Sequence, residues 1–277
     1  MATPTKAPSF LFASMRVFDM SVGEMLWSRR TIFMGLVVGV PVLLALRVRG
    51  ADMLGAQAIH VNNTTVNGPA IFGLMIWAFF LRFSVPVLGA FYGTSLIADE
   101  VEDKTVTYLF TRPVSRGSIL FGKFLAYVLC TLIVVLPSVM IVWLLVTPMG
   151  GSLGQNFPDL IKDLLILAVG LIAYGALFAF VGATFKRPLL ISLVFVFGFE
   201  PAVLVFPGYL KRFTLAYYIQ GLVPQAMPND SVVSLVQQIF REIPSLGASL
   251  AALAVVTALC LYLAARTVTN KEYVLEQ

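Results

Sequence analysis

The sequence contains few charged residues for a chain of 277 residues. Lysine, arginine, aspartate and glutamate make up 12% of it, whereas hydrophobic residues make up 59%. A soluble globular domain carries about 25% charged residues, so a water-facing surface could hardly be built from this composition. The scarcity of charge therefore excludes an ordinary soluble domain and predicts a protein whose solvent is largely lipid.

Cysteine, histidine and basic clusters are also scarce, and each absence excludes a class of function. Cys130 and Cys260 lie in apolar runs and fit neither a zinc spacing nor a disulfide framework, and His60 is the single histidine. The chain has no HExxH or GxSxG sequence, so we expect no catalytic residue or metal site. No basic run is interleaved with aromatic residues, so we expect no nucleic-acid partner. The first residues, MATPTKAPSF, lack the apolar core of a cleavable signal peptide.

Apolar runs are abundant, and six of them approach the length of about 20 residues that a membrane-crossing helix needs. We predict membrane spans over residues 31–46, 70–98, 119–146, 160–185, 189–206 and 246–265. Arg82 interrupts the second span, and Glu200 with Pro201 interrupts the fifth. Because Pro201 frees a backbone carbonyl one turn earlier, we expect a break or kink between Phe197 and Glu200.

Lysine and arginine are distributed unevenly among the segments that join these spans. An even number of spans places both termini on the same side of the membrane. With the termini inside, the cytoplasmic segments hold about twice as many lysines and arginines as the outer segments. Positive residues accumulate on the cytoplasmic side, so the bias predicts a multi-pass protein with both termini in the cytoplasm.

Two shorter segments have apolar side chains at helical spacing. In residues 9–30 the stripe consists of Leu11, Met15, Phe18, Val22 and Met25. This pattern predicts an amphipathic helix that lies on the cytoplasmic membrane face before the first span. A similar stripe over residues 231–243, with Asn229 or Asp230 as its cap, predicts a helical insertion on the outer side between spans five and six.

The stretch GSILFGKF, residues 117–124, matches all but the last position of the phosphate-binding sequence G-x-x-x-x-G-K-[ST]. In nucleotide hydrolases that sequence joins a strand to a helix, and its final hydroxyl binds magnesium. Here Phe124 takes the final position and an apolar run follows. We therefore interpret the stretch as the first turns of span three, with Lys123 extending to the headgroups, and expect no nucleotide site in this chain.

An acidic segment follows the second span and is predicted to be a short helix over residues 99–110. Four acidic residues stand at its start, where the helix dipole favours negative charge: Asp99, Glu100, Glu102 and Asp103. Its apolar face consists of residues at helical spacing: Val101, Thr105, Tyr108 and Leu109. Pro113 after Arg112 ends this helix, and Ser115 can cap the next one. The segment is thus a rigid rod on the cytoplasmic side.

This region resembles the permease subunits of ABC-2 type transporters. The resemblance lies between Glu100 and Leu125, in an acidic residue followed by a threonine and in the sequences YLF, RPVSR and GKFLA. Lys104 stands where many relatives have glycine. In plan the resemblance extends to the whole chain. It implies an all-α integral membrane protein with an N-terminal surface helix, six transmembrane helices, a cytoplasmic coupling helix between spans two and three, and an outer helical insertion between spans five and six.

The resemblance also implies partners. In the family, the coupling helix docks into a separate ATPase subunit, and two permeases combine with two ATPases. It therefore implies an ATPase-docking role for eight residues: Asp99, Glu100, Glu102, Asp103, Thr105, Tyr108, Arg112 and Arg116. ATP and magnesium would bind to the partner ATPase, and this chain would hold no cofactor. It would form a homodimer surrounded by lipid in a prokaryotic cytoplasmic (inner) membrane. Alternatively, the acidic cluster is a solvated helix start.

Arg82 and Glu200 are the charged residues deepest in the predicted spans. A charge in lipid costs at least about 2.5–3.5 kcal/mol by insertion scales, so such residues are usually paired or functional. One hypothesis places the two at similar depth in the outer half, as a salt bridge or as part of a substrate path. The other has both facing the outer headgroups or water.

Three functions follow from these patterns. The first is a permease subunit that forms the translocation path of an ATP-driven exporter. The second is a scaffold or maturation subunit that an ATPase drives mechanically without transport. The third is a membrane-embedded enzyme acting on lipid, for which the required cluster of Asp, His or Cys would have to be the acidic segment itself.

Overall fold

The computed structural model describes residues 10–54, 60–61, 64–65, 67–102, 115–205, 209–223 and 244–270. These residues are helical, apart from short connections and the two-residue strands His60–Val61 and Thr64–Thr65, which pair in antiparallel register. The predicted insertion at 231–243 and the second part of the predicted coupling helix lie outside the described residues.

Within the described residues we number eight helices in chain order. They are α1 (Phe10–Leu26), α2 (Arg29–Met53), α3 (68–102), α4 (Arg116–Val146), α5 (Leu153–Thr184), α6 (188–205), α7 (Leu215–Gln220) and α8 (Leu246–Asn270). Two of them are continuous helices with π-helical segments, which lie at Ile76–Ser84 and Gly89–Gly93 in α3 and at Phe195–Phe199 in α6. A 3-10 turn at Tyr209–Phe213 precedes α7.

Among the described residues, five helices are long and apolar enough to cross a membrane. They are Thr31–Met53, Gly68–Asp99, Arg116–Val146, Leu153–Thr184 and Leu246–Asn270. The apolar part of α6, Pro188–Val203, is shorter. At 1.5 Å per residue it extends about 24 Å, less than the hydrocarbon thickness of about 30 Å. The chain is thus a helical integral membrane protein with five full-length candidate spans and one short apolar helix.

Several helices extend beyond the predicted apolar spans. The helix that contains residues 31–46 continues to Met53, because Arg47 and Arg49 have good helix propensity and do not end it. The helix that contains residues 160–185 already begins at Leu153, where the Ser152 side chain accepts a hydrogen bond from the Gln155 N–H at 3.5 Å. Hydropathy finds the part of a helix that lipid favours, not its polar ends.

Helices α4 and α5 form the centre of the protein. α4 packs against α1 and α2, and α5 packs against α3 and α8. The turn between α4 and α5 contains Gly150 with φ +81°, a conformation that side-chain-bearing residues rarely adopt. The Gly68 N–H donates to the carbonyl oxygen of Met149 in this turn at 2.6 Å, so α3 begins at the same end.

Other contacts define the opposite end of the bundle. Arg116 Nη1, at the start of α4, donates to the carbonyl oxygen of Thr269 in the last turn of α8 at 3.2 Å. A small apolar cluster joins α3, α4, α5 and α8 there; it consists of Ile97, Leu120, Ala183, Ala264 and Val268. Since α1 packs on the first turns of α4, we call this the α1 end. Helix α1 and the last turn of α8 therefore lie at the same end.

The packing face of α1 consists of small residues. Ala13, Ser14 and Ser21 are buried, whereas Leu11 and Met15 of the predicted apolar stripe are 75% and 60% exposed. The first part of the stripe thus faces away from the bundle, where the membrane interface can cover it, whereas Met25 at its end packs against the core. The outward faces of α2 and α8 likewise carry large exposed apolar side chains, among them Ile32, Leu36, Leu43, Leu250, Val255, Leu259 and Tyr262.

Candidate functional site

The GSILFGKF stretch forms the first turns of α4. Ser115 is the N-cap predicted from sequence, and its side chain accepts a hydrogen bond from the Ser118 N–H at 3.3 Å. Gly122 touches α1, because a Cβ at this position would lie 2.5 Å from the Ser14 carbonyl oxygen and 2.9 Å from Val17 Cβ. This glycine therefore serves close helix packing, and the stretch is not the strand–loop–helix cradle of a phosphate-binding loop.

Lys123 differs from its predicted position. The side chain is only 9% exposed, so it lies within the protein and does not extend to the headgroups. The reason is local: α1 covers the first turns of α4 on the face next to Gly122. Sequence alone does not indicate that cover.

The acidic segment begins as part of α3. Asp99, Glu100 and Glu102 continue the helical segment Thr94–Glu102 without a break, so they do not start a separate helix. The dipole stabilisation predicted for a helix start therefore does not apply to these three residues, because helical residues precede them without a break. Four of the predicted docking residues lie outside the described residues: Asp103, Thr105, Tyr108 and Arg112.

Arg116 links two helices at this end. Its Nη1 atom donates to the carbonyl oxygens of Val268 at 3.4 Å and Thr269 at 3.2 Å. An arginine at this position satisfies terminal carbonyls of α8 and complements the negative end of its dipole. The docking role inferred for Arg116 stays a prediction, and the structure adds a structural contact between α4 and α8.

Glu200 lies at the centre of a buried hydrogen-bond network. It is 3% exposed, and the Tyr174 O–H is 2.8 Å from its Oε1 and 2.7 Å from its Oε2. The N–H of Ala216, in the first turn of α7, donates to Oε1 at 3.3 Å, and the Leu215 N–H contributes as well. This carboxylate therefore joins α5, α6 and α7. The hypothesis that Glu200 faces outer headgroups or water is wrong.

Arg82 lies near this network without joining it. Its charge acts electrostatically on both Glu200 and Tyr174. No N···O distance of 4.0 Å or less joins Arg82 to Glu200, so the salt bridge considered from sequence is not formed. Arg82 is half-buried, and its Nη1 atom is buried without a hydrogen-bond partner in the described part of the chain.

A π-helical turn precedes a proline near each of the two charged residues, Arg82 in α3 and Glu200 in α6. Pro86 and Pro201 lack an N–H, so each would leave a carbonyl unbonded one turn earlier in a regular α-helix. In both helices the wider turn precedes the proline: the Val85 N–H donates to the Phe80 carbonyl, and the Glu200 N–H to the Phe195 carbonyl. The break expected between Phe197 and Glu200 is thus a π-helical turn, a feature frequent at functional sites.

Sequence reasoning missed Tyr174, which is the main partner of Glu200. The available signal was general, since a buried tyrosine usually finds a hydrogen-bond partner. The chain has 9 tyrosines, and nothing in their spacing selects this one. Tyr174 is positioned by close packing of α3 on α5, because a Cβ at Gly89 would lie 2.8 Å from Tyr174 Cβ. Among the described residues, no group of three His, Cys, Asp or Glu side chains is placed to hold a metal ion.

The family model described as "ABC-2 family transporter protein" matches residues 28–267 of the chain. The match begins just before α2 and reaches the last turns of α8, so it covers the polar network, the acidic segment and the central helices. The curated proteins with which we compared the chain contain no match to it.

Proposed function

Because the chain belongs to the ABC-2 family of transporter proteins, we propose that it is the permease of an ATP-driven exporter whose ATP is hydrolysed by a separate ATPase subunit. In this proposal the permease forms the translocation path. ATP and magnesium bind to the partner, and this chain holds no cofactor of its own.

The observation that carries the proposal is the position of the acidic segment. Helix α3 brings Asp99, Glu100 and Glu102 to the α1 end, and α4 begins at that end with Arg116. Residues 102 and 115, which flank the segment 103–114, therefore lie at the same end of the bundle, as the ends of a loop that docks on a soluble subunit must do. Because Asp99, Glu100 and Glu102 do not stand at a helix start, docking on a basic surface of the ATPase is our explanation for their clustering.

The contacts at the α1 end provide a route by which docking can act on the spans. Ile97 of α3 and Leu120 of α4 share one apolar cluster with Ala264 of α8. Arg116 also holds the terminal carbonyls of α8. A displacement of residues 103–114 would therefore move the ends of three helices together.

We propose that the α1 end faces the cytoplasm of a prokaryotic cell and that the protein lies in its cytoplasmic membrane. Lysines and arginines of the described residues are more numerous at this end, where they are Arg16, Arg29, Arg30, Arg116, Lys123, Lys186, Arg187 and Arg266, than at the other, where they are Arg47, Arg49, Lys162, Lys211 and Arg212. This bias is the one expected of cytoplasmic segments. The orientation places the acidic segment, both ends of the described chain and the ATPase on the same side.

Six crossings remain our proposal for the topology. α5 ends at the α1 end, where Ala183 joins the apolar cluster, and α8 returns to that end with Val268. Helix α8 must therefore begin at the opposite end, so the chain between Thr184 and Leu246 crosses once. Short α6 accounts for most of that crossing, and the 3-10 turn and α7 pack back against it through Glu200.

We further propose that two copies of the permease assemble with two ATPases. Gly35 and Gly39 lie one turn apart on α2, and a Cβ at either position would meet no atom of this chain within 4 Å. Small residues at this spacing permit close approach of membrane helices. Mass measurement of the purified complex should give two permeases and two ATPases. A stable, active single copy without an ATPase would contradict this assembly.

The docking role is tested by reversing the acidic charges. We expect Glu100→Lys with Glu102→Lys to abolish co-purification of the ATPase, while the amount of folded permease in the membrane stays unchanged. The matched control is Asp52→Lys with Asp159→Lys. It makes the same charge change at the opposite end and breaks two exposed ion pairs, at 3.2 Å and 2.9 Å, that contribute little to stability.

Equal co-purification by both double variants would refute the docking role. A complex whose ATP hydrolysis responds to a compound is a transporter of it, and release of that compound from the side opposite the ATPase would show export. A complex with no such response would favour the scaffold or maturation function instead.

A further inference from the structure

Helix α7 is a short helix that is bound to the bundle at its first turn. The Ala216 N–H donates to Oε1 of Glu200 at 3.3 Å, and the Leu215 N–H contributes to the same carboxylate. The helix packs on α3, α5 and α8. Ile219 extends between these helices, since a Cβ at Gly170 of α5 would lie 3.5 Å from its Cδ1 atom. Glu200 therefore holds α7 in its place inside the bundle.

The last turn of α7 is less well satisfied than the first. Oε1 of Gln220 and Oγ of Ser249 in α8 are both buried without a hydrogen-bond partner among the described residues. The two helices meet here, because a Cβ at Gly221 would lie 2.6 Å from Ser249 Oγ. A buried polar atom without a partner destabilises the conformation that buries it. The observed position of α7 is therefore favoured at its first turn and disfavoured at its last.

Arg82 has an unused hydrogen-bond donor within electrostatic reach of the same carboxylate. Its Nη1 atom is covered by the protein and has no partner in the described part of the chain, so an acceptor for it must come from inside the protein. The charge of Arg82 acts on Glu200. Among the described residues, the charges that act on Asp163, the other buried acid, are those of Asp159 and Lys162. Glu200 is therefore the acceptor that suits Arg82 best.

The donors of Glu200 fall into a fixed and an exchangeable set. A buried carboxylate is stable only while hydrogen-bond donors surround it. The Tyr174 O–H, at 2.7 Å, belongs to α5 and does not depend on α7. The N–H groups of Ala216 and Leu215 are lost when α7 leaves. An arginine binds a carboxylate through two parallel N–H bonds, so Arg82 can replace these two donors.

We propose that α7 is a releasable element of the permease and that Glu200 exchanges partners when it moves. In the conformation described here Glu200 binds the first turn of α7, and in the released conformation it binds Arg82. The carboxylate has donors in both conformations, so the two are close in free energy, as a two-state element requires. The inference goes beyond the proposed function, because release of α7 is a property of the permease alone and needs neither an ATPase nor a substrate.

Release of α7 is measured by cysteine labelling of the purified full chain in detergent. Ile219 is 3% exposed, so after Ile219→Cys a water-soluble maleimide reacts at position 219 only in molecules whose α7 is released. The labelling rate therefore follows the population of the released conformation. The native thiol of Cys130 is buried in α4 and reports unfolding of the whole bundle. Mass spectrometry of peptides distinguishes the labelled positions.

In the Ile219→Cys chain we expect Arg82→Met to slow labelling at position 219 by about tenfold or more, because the released conformation loses charge-assisted hydrogen bonds. A purely structural role of Arg82 would have the opposite sign, since loss of a stabilising contact would release α7 more often. Arg82→Lys should slow labelling less, because it keeps the charge and lacks the planar fork. The control Arg49→Met removes an arginine that is paired with Asp52 at 3.2 Å, and should leave the rate unchanged.

Two further variants test the partners of α7. In a chain that carries Glu200→Gln, Arg82→Met should no longer slow labelling, since the carboxylate that Arg82 would bind is gone. Gln220→Met should slow labelling in the chain that keeps Glu200. Its reason is that the observed conformation then no longer buries an amide oxygen without a donor.

Labelling in Arg82→Met that is as fast as in its parent, or faster, would overturn the proposal. An equal slowing with and without the Glu200 carboxylate would overturn the exchange of partners. If Cys130 reacts as fast as position 219, α7 is not released by itself and the proposal is wrong. If Arg82→Met does not fold, Arg82→Lys and Gln220→Met decide the matter in the same way. The expected rates in a permease that binds no ATPase would support this inference while the proposed function failed.

Discussion

Arg82 and Glu200 carry opposite charges within apolar helices, yet they differ in burial and in hydrogen bonding. Glu200 is 3% exposed and accepts hydrogen bonds from α5 and α7. Arg82 is half-buried, lies within electrostatic reach, and has no described hydrogen-bond acceptor. The difference teaches that Glu200 holds three helices together through hydrogen bonds, whereas Arg82 makes no such link in the described part of the chain. Stability should therefore depend strongly on Glu200 and weakly on Arg82.

The largest effect is expected when Glu200 is removed. Glu200→Leu leaves the Tyr174 hydroxyl and the Ala216 N–H without an acceptor, and each buried unsatisfied group costs about 1–3 kcal/mol. We expect the free energy of unfolding in detergent to fall by about 3 kcal/mol or more. Glu200→Gln keeps one carbonyl acceptor and should cost clearly less. If Glu200→Leu and Glu200→Gln lower the free energy of unfolding by the same amount, the hydrogen bonds to Glu200 do not stabilise the protein.

A smaller loss is expected for Tyr174→Phe, which removes one hydrogen bond to a charged group, worth about 1.5–3 kcal/mol. The matched control is Tyr127→Phe on α4, whose buried hydroxyl donates to the neutral Leu171 carbonyl at 2.9 Å. That loss should be about 1 kcal/mol. Thermal unfolding of both variants measures the difference. A greater loss of stability in Tyr127→Phe would mean that the bond to Glu200 is not the stronger of the two hydrogen bonds.

Coupling between the two charges should be weaker still. A fully buried pair that loses one partner costs about 3–5 kcal/mol, but Arg82 and Glu200 interact only at longer range. In a double-mutant cycle with Arg82→Met and Glu200→Gln, we expect a coupling energy of about 0.5–1 kcal/mol, measured by unfolding. Additivity of the two single effects would show that Arg82 and Glu200 act independently.

The smallest effect is expected for Arg82→Met alone. The variant keeps an aliphatic side chain of similar length and loses no hydrogen bond to the described chain, so stability should change by about 0.5 kcal/mol or less. A loss of stability as large as that of Glu200→Leu would mean that Arg82 is structural.

Local features could be predicted from the sequence, whereas contacts between helices could not. The candidate spans, the Ser115 cap and the irregular turn before Pro201 were readable, because each depends on residues within a few positions of one another. The partner of Glu200 was not readable, since Tyr174 belongs to another helix. The same holds for Arg116, whose acceptors lie at the far end of the chain in α8.

The acidic segment shows the same limit at shorter range. The four acidic residues among the five residues 99–103 were interpreted as a helix start, because a favourable dipole is the usual local reason for such a cluster. In the structure α3 continues through Glu102, so packing of its preceding turns against α5 outweighs the dipole preference. Gly182, where a Cβ would meet the Thr94 backbone, shows how close that packing is.

The sequence by itself determined that this chain is a membrane protein and where its apolar helices lie, because hydropathy and the effect of proline depend on residues that are close in sequence. It also placed two opposite charges inside those helices. Only the tertiary structure decided that Glu200 accepts hydrogen bonds from Tyr174 and α7, and that Nη1 of Arg82 has no acceptor among the described residues. It also decided that Gly122 of GSILFGKF serves a close helix contact. The physical reason is that hydrogen bonds and van der Waals contacts act over a few ångströms, between residues that only packing brings together.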